Sequence, residues 1–253
     1  MKLDDIKKLH QKKYRQQFGH YLVEGEHLIL ELQKAVTQSG IDPHTIQLFV
    51  TEKYQDWSSP FEKRVISSKQ MTLLSDTKSP QGIIACVPLP ESAPAADQSV
   101  LDQNAPDQSK SERCIYLHEV QDPGNLGTIL RTLAWFGGFR LLLSPNSVDP
   151  YNSKVVRSSM GAIFHVPMEL DVSLDDLAER FNRFAYLDMN GEIIKSEAFA
   201  DFPCYLFGNE ARGVPRDALT ALNATAFTIP GSGAIESLNL ASAVNMSVFQ
   251  LSV

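Results

Sequence analysis

The amino-acid sequence predicts an α/β protein with a small N-terminal α/β domain and a larger C-terminal domain built on a parallel sheet. Along both halves of the chain, short apolar runs alternate with amphipathic stretches, which is typical of a parallel sheet covered by helices on both faces. Residues 88–112 are rich in Pro, Ala, Ser, Asp and Gln and hold almost no large apolar side chains. Such a stretch buries too little apolar surface to order itself. We therefore predict domains at 1–87 and 113–253, joined by a flexible linker at 88–112.

The order of the predicted elements supports this fold class. In the first half we predict strands over 20–25, 46–50, 64–68 and 82–87, and helices over 26–36 and 67–76. In the second half we predict strands over 114–120, 139–144, 163–168, 184–189, 204–210 and 226–230, and helices over 125–137, 152–160, 174–183, 215–222 and 238–251. Ligands of parallel sheets bind at the loops beyond the carboxyl ends of the strands. The chemistry is therefore expected in those loops.

Composition excludes several function classes. No apolar run reaches membrane-spanning length, and the charged N-terminus lacks the apolar core of a signal peptide, so we expect a cytoplasmic protein with no membrane partner. Cys86, Cys114 and Cys204 form no CxxC pair, which indicates buried apolar residues in a reducing compartment. The six histidines show no ligand spacing, so no metal is expected. The sequence also contains no GxxxxGK[ST] and no GxSxG motif.

The charge distribution leaves a nucleic-acid partner open. The formal net charge of −7 argues against such a partner. The first fifteen residues, however, carry six basic side chains, among them Lys12, Lys13 and Arg15, against Asp4 and Asp5. A run of this kind is either a solvated helix face or a patch that contacts phosphates.

The loop in "HEVQDPGNLGTILRTLAWFGG" (118–138) is the first candidate site. A Pro-Gly turn precedes Asn125, which is a natural N-cap for the predicted helix. Arg131 lies six residues further on, in an otherwise apolar stretch of that helix. The alternative interpretations are capping alone for Asn125 and a surface or salt-bridged position for Arg131.

Two later loops carry further candidates. In "YLFGNEARGVP" (205–215), Gly208 permits close approach of the backbone to a ligand, and Glu210 follows a buried apolar run directly. In "FTIPGSGAIESLNLASAVNMSVFQL" (227–251), a glycine-bearing loop ends at Ser237, Leu238 and Asn239, which open a helix rich in Ala and Ser. Taken singly, Ser237 and Asn239 are equally explained as helix caps.

Taken together, these motifs resemble a known family. "DPGNLGTILRTLAWFGG", "VVRSSMGAIFHVP", "LFGNEARGVP" and "IPGSGAIESLNLASAVNMS" are similar to the successive motifs of SpoU/TrmH-type RNA 2′-O-ribose methyltransferases of the SPOUT class. The resemblance covers residues 113–253. In the first half, "YLVEGEHLILEL" (21–32) resembles the beginning of the small RNA-binding domain, related to ribosomal-protein folds, that precedes many of these enzymes.

The resemblance implies a trefoil-knotted C-terminal domain that binds S-adenosylmethionine and pairs as a homodimer. It implies a reactive cluster of Asn125, Arg131, Glu210, Ser237 and Asn239. It also implies that the backbone around Gly208, Ile229 and Leu238 cradles the cofactor. The RNA-contacting residues are expected to be Lys12, Lys13 and Arg15 in the first domain and Arg157 and Ser159 in the second, the last two contacting either RNA or the partner subunit.

The expected chemistry follows from the weakness of a ribose 2′-hydroxyl as a nucleophile. A guanidinium is effectively always protonated, so we expect Arg131 to bind a neighbouring phosphate and stabilise negative charge on the 2′-oxygen, with Glu210 holding Arg131 in place. The two-domain layout resembles that of family members that act on ribosomal RNA, and this resemblance favours ribosomal RNA as the substrate. Three alternatives stay open: a transfer RNA 2′-O-methyltransferase, an enzyme with another methyl acceptor, and a non-catalytic knotted RNA-binding protein.

Overall fold

The computed structural model describes residues 1–39, 42–90, 112–235 and 237–253. The predicted linker at 88–112 falls mostly on residues 91–111, outside the described ranges. The chain divides into two compact units. The first unit contains Met1–Glu91 together with Asp149–His165, and the second contains Ser92–Val148 and Val166–Val253. The segment Asp149–His165, which lies within the range predicted for the second domain, therefore packs as part of the first unit.

The described residues form ten strands and nine α-helices. The strands are β1 (His20–Glu24), β2 (Gln47–Val50), β3 (Glu62–Val65), β4 (Ile83–Pro88), β5 (Arg113–Leu117), β6 (Phe139–Leu143), β7 (Met168–Glu169), β8 (Ala185–Ile193), β9 (Cys204–Phe207) and β10 (Thr225–Thr228). The helices are α1 (Leu3–Lys8), α2 (Lys12–Phe18), α3 (Glu26–Ser39), α4 (Ser68–Leu74), α5 (Pro123–Phe136), α6 (Ser153–Ser158), α7 (Leu174–Arg180), α8 (Arg216–Ala221) and α9 (Leu240–Ser252).

The first unit holds a four-stranded mixed sheet in the order β1-β4-β2-β3. Strand β4 runs antiparallel to both β1 and β2, and only β2 and β3 are parallel. The parallel sheet predicted for this half is therefore wrong. Residues 83–87 of β4 are all buried, and this most apolar strand takes a central position between β1 and β2.

The segment Asp149–His165 contributes to the packing of the first unit. The rings of Tyr21 and Tyr151 lie 4.9 Å apart between centroids, and helix α6 packs against β1. The strand predicted over 163–168 is wrong, because this stretch begins with a short 3-10 helix, Ala162–Phe164. Only its last residue, Met168, enters a strand.

The second unit holds a six-stranded sheet in the order β10-β8-β9-β5-β6-β7, and every pairing between neighbours is parallel. This confirms the predicted parallel sheet. Its core includes the buried side chains of Tyr116, Leu142, Phe184, Leu206 and Leu219. Full burial of a large apolar side chain contributes roughly 1.5–3 kcal/mol to the free energy of folding. The strands β5 and β9 end earlier than predicted, at Leu117 and Phe207, so the polar residues that follow them lie in loops.

Candidate active site

Three loops meet at the carboxyl edge of the parallel sheet. They follow β5, β9 and β10 and lead into α5, α8 and α9. Together with part of β8 they surround a cavity of 1320 Å³. Of the eight residues predicted for catalysis and cofactor binding, the cavity is lined by seven: Asn125, Gly208, Glu210, Ile229, Ser237, Leu238 and Asn239. The strand ends thus bring together residues that lie up to 114 positions apart in the chain.

Glu210 is the centre of the polar network at this cavity. Its carboxylate accepts hydrogen bonds from the backbone N–H groups of Gln121 and Asp122, both at 3.2 Å, and from the side-chain amide of Asn125 at 3.2 Å. A carboxylate accepting two backbone N–H bonds at the start of a helix is well placed, because the helix dipole favours negative charge there. Glu210 therefore fixes the turn that leads into α5.

Asn125 lies inside the first turn of α5 and is not its N-cap, contrary to the prediction. The N-cap is Asp122, whose carboxylate accepts the backbone N–H of Asn125 at 2.8 Å, and Pro123 occupies the first helical position. Proline is preorganised for that position and needs no hydrogen-bond partner there. Because Asp122 does the capping, the Asn125 side chain is free to join Glu210 and Asn239.

Asn239 completes the network from the third loop. It is the N-cap of α9, and its Oδ1 accepts the backbone N–H of Ser242 at 3.1 Å. Its Nδ2 donates to Oδ1 of Asn125 at 3.0 Å. Asn239 is therefore both a helix cap and a member of the network, the two roles that were predicted as alternatives. Ser237 and Leu238 are exposed at the cavity, and Ser237 makes no hydrogen bond with the described part of the chain.

Asn209 is a structural residue of the site that the sequence reasoning did not single out. It is buried, and its Oδ1 accepts the backbone N–H groups of Ala211 and Arg212 at 2.9 and 3.0 Å. Its Nδ2 donates to the carbonyl of Glu119 at 2.7 Å. These bonds join the loop after β9 to the loop after β5. Its position between Gly208 and Glu210 in a buried strand end was the available signal.

Gly208 is required by the chain itself. A Cβ at this position would lie 2.6 Å from the backbone nitrogen of Val214 and closer still to the Gly213 carbonyl group. The prediction was that Gly208 allows a ligand to approach the backbone. In the structure, the backbone that approaches Gly208 closely is that of Gly213 and Val214 in its own loop, and the neighbouring residue Glu210 lies in this loop.

Arg131 lies apart from this network. Its side chain is exposed on α5, it is not among the residues that line the cavity, and it makes no hydrogen bond or ion pair with the described residues. The predicted contact between Glu210 and Arg131 is therefore wrong for this chain, because Glu210 is occupied by the turn at 121–125. The apolar surroundings of Arg131 are confirmed on the buried side of the helix, by Leu130 and Leu133.

Strand β8 contributes a wall of the cavity that the sequence reasoning also missed. The strand pairs with β10 at Ala185–Tyr186 and again at Glu192–Ile193, but residues 187–191 have no counterpart on β10. We call residues 187–191 the β8 bulge. Leu187, Asp188 and Met189 of the bulge line the cavity. Burial disfavours the charge of Asp188, but hydrogen bonds from Arg216 and from backbone N–H groups outweigh burial and lower its pKa.

A histidine adjoins the site on the strand-end loop after β5. Burial lowers the pKa of His118, and its Nδ1 is buried without a partner among the described residues. The next residue, Glu119, forms an ion pair with Arg212 and has a backbone φ of 50°. A positive φ is uncommon for a non-glycine residue, and it turns the chain sharply from β5 into the loop that carries Gln121.

The residues predicted to bind RNA divide into exposed and buried ones. Lys12 and Lys13 are exposed on α2. Arg15 is only 4% exposed and donates to Asp149 through Nε at 2.9 Å and Nη2 at 2.5 Å, so the prediction that it contacts RNA is wrong. A guanidinium that is buried and paired with a carboxylate is not accessible to an external phosphate.

The two RNA-contact candidates of the segment Asp149–His165 differ in the same way. Ser159 is fully buried and its hydroxyl donates to the carbonyl of Val156 at 2.8 Å, so it cannot contact RNA and that prediction is also wrong. The Arg157 side chain is 36% exposed, and its Nη2 lies 3.7 Å from Oδ2 of Asp76. Arg157 therefore remains a candidate, beside Lys12 and Lys13.

Glu24 and Gly25, within the stretch 21–32 that resembles the RNA-binding domain, have a structural role. Glu24 Oε1 accepts the hydroxyls of Ser75 and Thr77 at 2.5 and 2.8 Å, which ties the loop after α4 to the end of β1. Gly25 has a φ of 106°, a conformation that side chains rarely adopt, and it leads directly into α3. The motif that resembles the RNA-binding domain thus positions α3.

Comparison with known proteins links both units to RNA methyltransferases. A model described as the SpoU rRNA Methylase family matches residues 112–249, and a model described as the MRM3-like substrate binding domain matches residues 2–85. The 23S rRNA (guanosine(2553)-2'-O)-methyltransferase RlmP of Bacillus subtilis is 32% identical over 258 residues, covering 99% of this chain and 95% of the relative. The mitochondrial rRNA methyltransferase 3A of Danio rerio is 36% identical over 66% of this chain and 37% of its own length.

Solved structures give the same result for the fold. A structure described as an RNA methyltransferase of the TrmH family, from Porphyromonas gingivalis, has a TM-score of 0.79 at 26% identity and covers 98% of this chain and 96% of that one. An rRNA methyltransferase from Sinorhizobium meliloti, solved with AdoMet, has a TM-score of 0.78 at 24% identity and covers 98% and 93%. Within the described ranges, no helix is both long and apolar enough to span a bilayer, and no group of His, Cys, Asp and Glu side chains is arranged to hold a metal ion.

Proposed function

Because the chain belongs to the SpoU rRNA methylase family, we propose that it transfers a methyl group from S-adenosylmethionine to a ribose 2′-hydroxyl of ribosomal RNA. The observation that carries this proposal is the network of Glu210, Asn125 and Asn239 at one cavity. Three separate loops supply these three side chains. RlmP of Bacillus subtilis, whose name describes a 2'-O-methylation of 23S rRNA, aligns with nearly the whole chain, both units included. This similarity favours ribosomal over transfer RNA as the substrate.

The cavity fits the proposed cofactor in size and in lining. Its 1320 Å³ exceeds the roughly 300–1,000 Å³ of common ligand pockets, which leaves room for the cofactor and a nucleotide together. Ile229 and Leu238 offer apolar surface for the adenine, and the backbone after β9 and β10 offers N–H and carbonyl groups. S-adenosylmethionine supplies an electrophilic methyl group when bound.

The side chains of the site are proposed to orient the attacking ribose. The 2′-oxygen must be held in line with the methyl group and lose its proton as the bond forms, and such positioning supplies much of the rate. The amides of Asn125 and Asn239 hold each other at 3.0 Å at the edge of the cavity, where both can orient substrate. Glu210 accepts three hydrogen bonds, so its proposed role is to hold this arrangement rather than to accept the proton.

Arg131 is proposed to act on the RNA. Its charge is permanent, so it binds a phosphate beside the modified nucleotide and stabilises developing negative charge on the 2′-oxygen. Its position outside the network requires that RNA, or another copy of the chain, bring the ribose and the guanidinium together.

We propose that the protein is a homodimer with an interface on α5 and α9. The two helices pack together, with Thr132 donating to Asn245 at 2.5 Å. On their exposed side lies an apolar surface that we call the α5/α9 face, with exposed fractions of 85% for Trp135, 36% for Phe136, 46% for Met246 and 54% for Phe249. The rings of Phe136 and Phe249 lie 6.2 Å apart between centroids, so apolar side chains of both helices meet on this side. Exposed apolar side chains grouped in this way mark an interaction site, and Arg131 lies one helical turn from Trp135.

The first unit is proposed to dock the RNA through Lys12, Lys13 and Arg157. The match to a substrate binding domain supports this assignment. The trefoil knot is part of the proposal and is supported by the family resemblance. A cytoplasmic location is proposed as well, and it agrees with Cys86, Cys114 and Cys204, which are all free and buried.

The test of the proposal is methyl transfer from labelled S-adenosylmethionine to 23S ribosomal RNA transcripts, with transfer RNA as the competing substrate. A 2′-O-methyl group protects the adjacent phosphodiester from alkaline hydrolysis, so the modified product appears as an alkali-resistant dinucleotide. Label in this dinucleotide from ribosomal RNA alone supports the proposal. Label in transfer RNA, on a base, or nowhere contradicts the substrate, the acceptor atom or the activity, respectively.

The dimer is tested by light scattering at micromolar concentration. Trp135→Glu places a charge in the α5/α9 face and is expected to give monomers that still bind S-adenosylmethionine. Leu170→Glu is the matched control, since Leu170 is also an exposed apolar residue of the second unit, at 43%, but lies outside this face. A monomeric wild-type protein, or a Trp135→Glu variant that stays dimeric, would contradict the proposed interface.

A further inference from the structure

The β8 bulge (187–191) is fastened to the rest of its unit at several points. Its backbone returns to β10 at Gly191, where a Cβ would lie only 2.6 Å from the carbonyl carbon of Ala226. The carbonyl of Met189 accepts the hydroxyl of Thr228 at 3.2 Å. These contacts hold the returning end of the bulge against β10.

The other end of the bulge is held by one ion pair. Asp188 accepts two hydrogen bonds from Arg216, from Nε at 2.8 Å and from Nη2 at 2.7 Å. This paired geometry is the strong form of a guanidinium–carboxylate contact. The Asp188 side chain is only 5% exposed, whereas that of Arg216 is 62% exposed. Backbone N–H groups also stabilise this carboxylate, but Arg216 is its charged partner within the described residues, and a nearly buried charge depends strongly on such a partner.

The pair connects two walls of the proposed cofactor cavity. Asp188 lies on the bulge, and Arg216 begins α8, directly after the loop that carries Gly208 and Glu210. Both residues line the cavity. Within the described residues Arg216 has no acidic partner other than Asp188, so the contact is the charged connection between the bulge and the loop after β9.

We infer that the Asp188–Arg216 pair is a positioning element that sets the affinity for S-adenosylmethionine by holding the β8 bulge against the cavity. The inference rests on the proposed function. Neither residue takes part in methyl transfer. Each acts through the bulge, whose Leu187 and Met189 form the wall, so losing either member loosens the same wall.

An alternative role for the pair is electrostatic, and it makes opposite predictions. S-adenosylmethionine carries one net positive charge, whereas S-adenosylhomocysteine carries none. If only charge mattered, Arg216→Gln would expose the carboxylate of Asp188 and strengthen binding of the cationic cofactor. Asp188→Asn would leave an unpaired guanidinium and weaken it. S-adenosylhomocysteine would respond little to either change.

The experiment measures dissociation constants of both ligands by calorimetry for the full chain and its variants. We expect Asp188→Asn, Arg216→Gln and the double variant to weaken both ligands by roughly tenfold each, since one charged hydrogen-bonded contact is lost in every case. The double variant should be no worse than the single ones. Methyl transfer at saturating cofactor should stay within about twofold of wild type, which a general loss of folding would not allow.

Matched controls remove one charge elsewhere in the same unit. Glu179→Gln and Lys195→Gln change exposed residues that form no ion pair with the described chain, and they should leave both affinities unchanged. Arg216→Gln changes an exposed side chain and keeps the test valid if Asp188→Asn does not fold. Opposite shifts for the two single variants, or unchanged affinities, overturn the inference. A wild-type protein that binds neither ligand overturns the proposed function instead.

Discussion

The first turn and the middle of α5 differ in how their functional residues are held. In the first turn, Asn125 is bonded to Glu210 and Asn239, and Asp122 caps the helix, so these side chains are held by the chain itself. Further along the same helix, Arg131 is exposed and has no bonding partner in the described chain. The first turn is therefore preorganised within a single chain, whereas the role proposed for Arg131 requires a second molecule to bring its partner groups.

The largest expected effect comes from removing the side chain of Arg131. Arg131→Ala should lower the rate of methyl transfer roughly a hundredfold or more, as loss of one charged donor does elsewhere. Cofactor affinity should stay nearly unchanged, because Arg131 does not line the cavity. Arg131→Lys should recover little, since lysine lacks the planar fork. Single-turnover transfer to a defined ribosomal RNA fragment measures the effect, and normal transfer by the Ala variant would remove Arg131 from the mechanism.

A smaller effect on methyl transfer is expected from changing Glu210, which holds the turn before α5. Glu210→Gln keeps the size of the side chain but replaces one accepting oxygen with an NH₂ group that faces backbone N–H donors. We expect transfer to fall about tenfold, from loss of roughly 1–3 kcal/mol of hydrogen bonding in the turn that carries Asn125. Glu179→Gln is the isosteric control. A Glu210→Gln variant as active as this control would show that the network is not needed.

Reversing the charge of Lys12 and Lys13 tests whether the first unit binds RNA through α2. The double variant Lys12→Glu/Lys13→Glu should weaken RNA binding several-fold and lower its salt dependence, because two phosphate contacts are lost. S-adenosylmethionine affinity should not change. Arg15 is left in place, since it is buried against Asp149. RNA affinity and salt slope equal to wild type would assign α2 to an ordinary solvated surface.

The smallest expected effect separates capping from site chemistry within the first turn of α5. Asp122→Ala should lower the free energy of unfolding by about 1 kcal/mol, the usual contribution of an N-cap. Asn125→Ala should change stability less and the transfer rate more. Urea denaturation and transfer assays on both variants make the comparison. A larger stability loss at Asn125 than at Asp122 would contradict the capping seen in the structure.

Local sequence patterns carried much of the fold but not the strand pairing. The apolar runs located β5, β6, β9 and most of α5, because strands buried on both faces of a parallel sheet are continuous apolar runs, although β5 and β9 end three residues earlier than predicted. The antiparallel position of β4 left no such signal, since hydrophobic periodicity does not say which neighbour a strand takes. The start of α5 was misjudged because Asn125 is a good cap residue, although Pro123 marks the earlier start.

The site residues came mainly from motifs, and two of the errors share one cause. Glu210 and Asn239 stand in loops with recognisable sequence patterns. Arg15 was misread because its partner Asp149 lies 134 residues away, which a local charge count cannot detect. Asp188 was missed because it stands in an apolar run that reads as an ordinary strand, and only the register of β8 and β10 reveals the bulge. Long-range pairing was the information that one sequence did not carry.

The segment Asp149–His165 has a consequence for modular exchange between relatives. The ring of its Tyr151 packs at a tilt against that of Tyr21, Asp149 pairs with Arg15, and Gly161 leaves room for Glu31, where a Cβ would come within 2.6 Å. A chimera that joins the first ninety residues of one relative to the remainder of another splits this unit between two parents. Such a hybrid should fold poorly unless residues 149–165 are inherited together with the first domain, so the natural unit of recombination in this architecture is discontinuous in sequence.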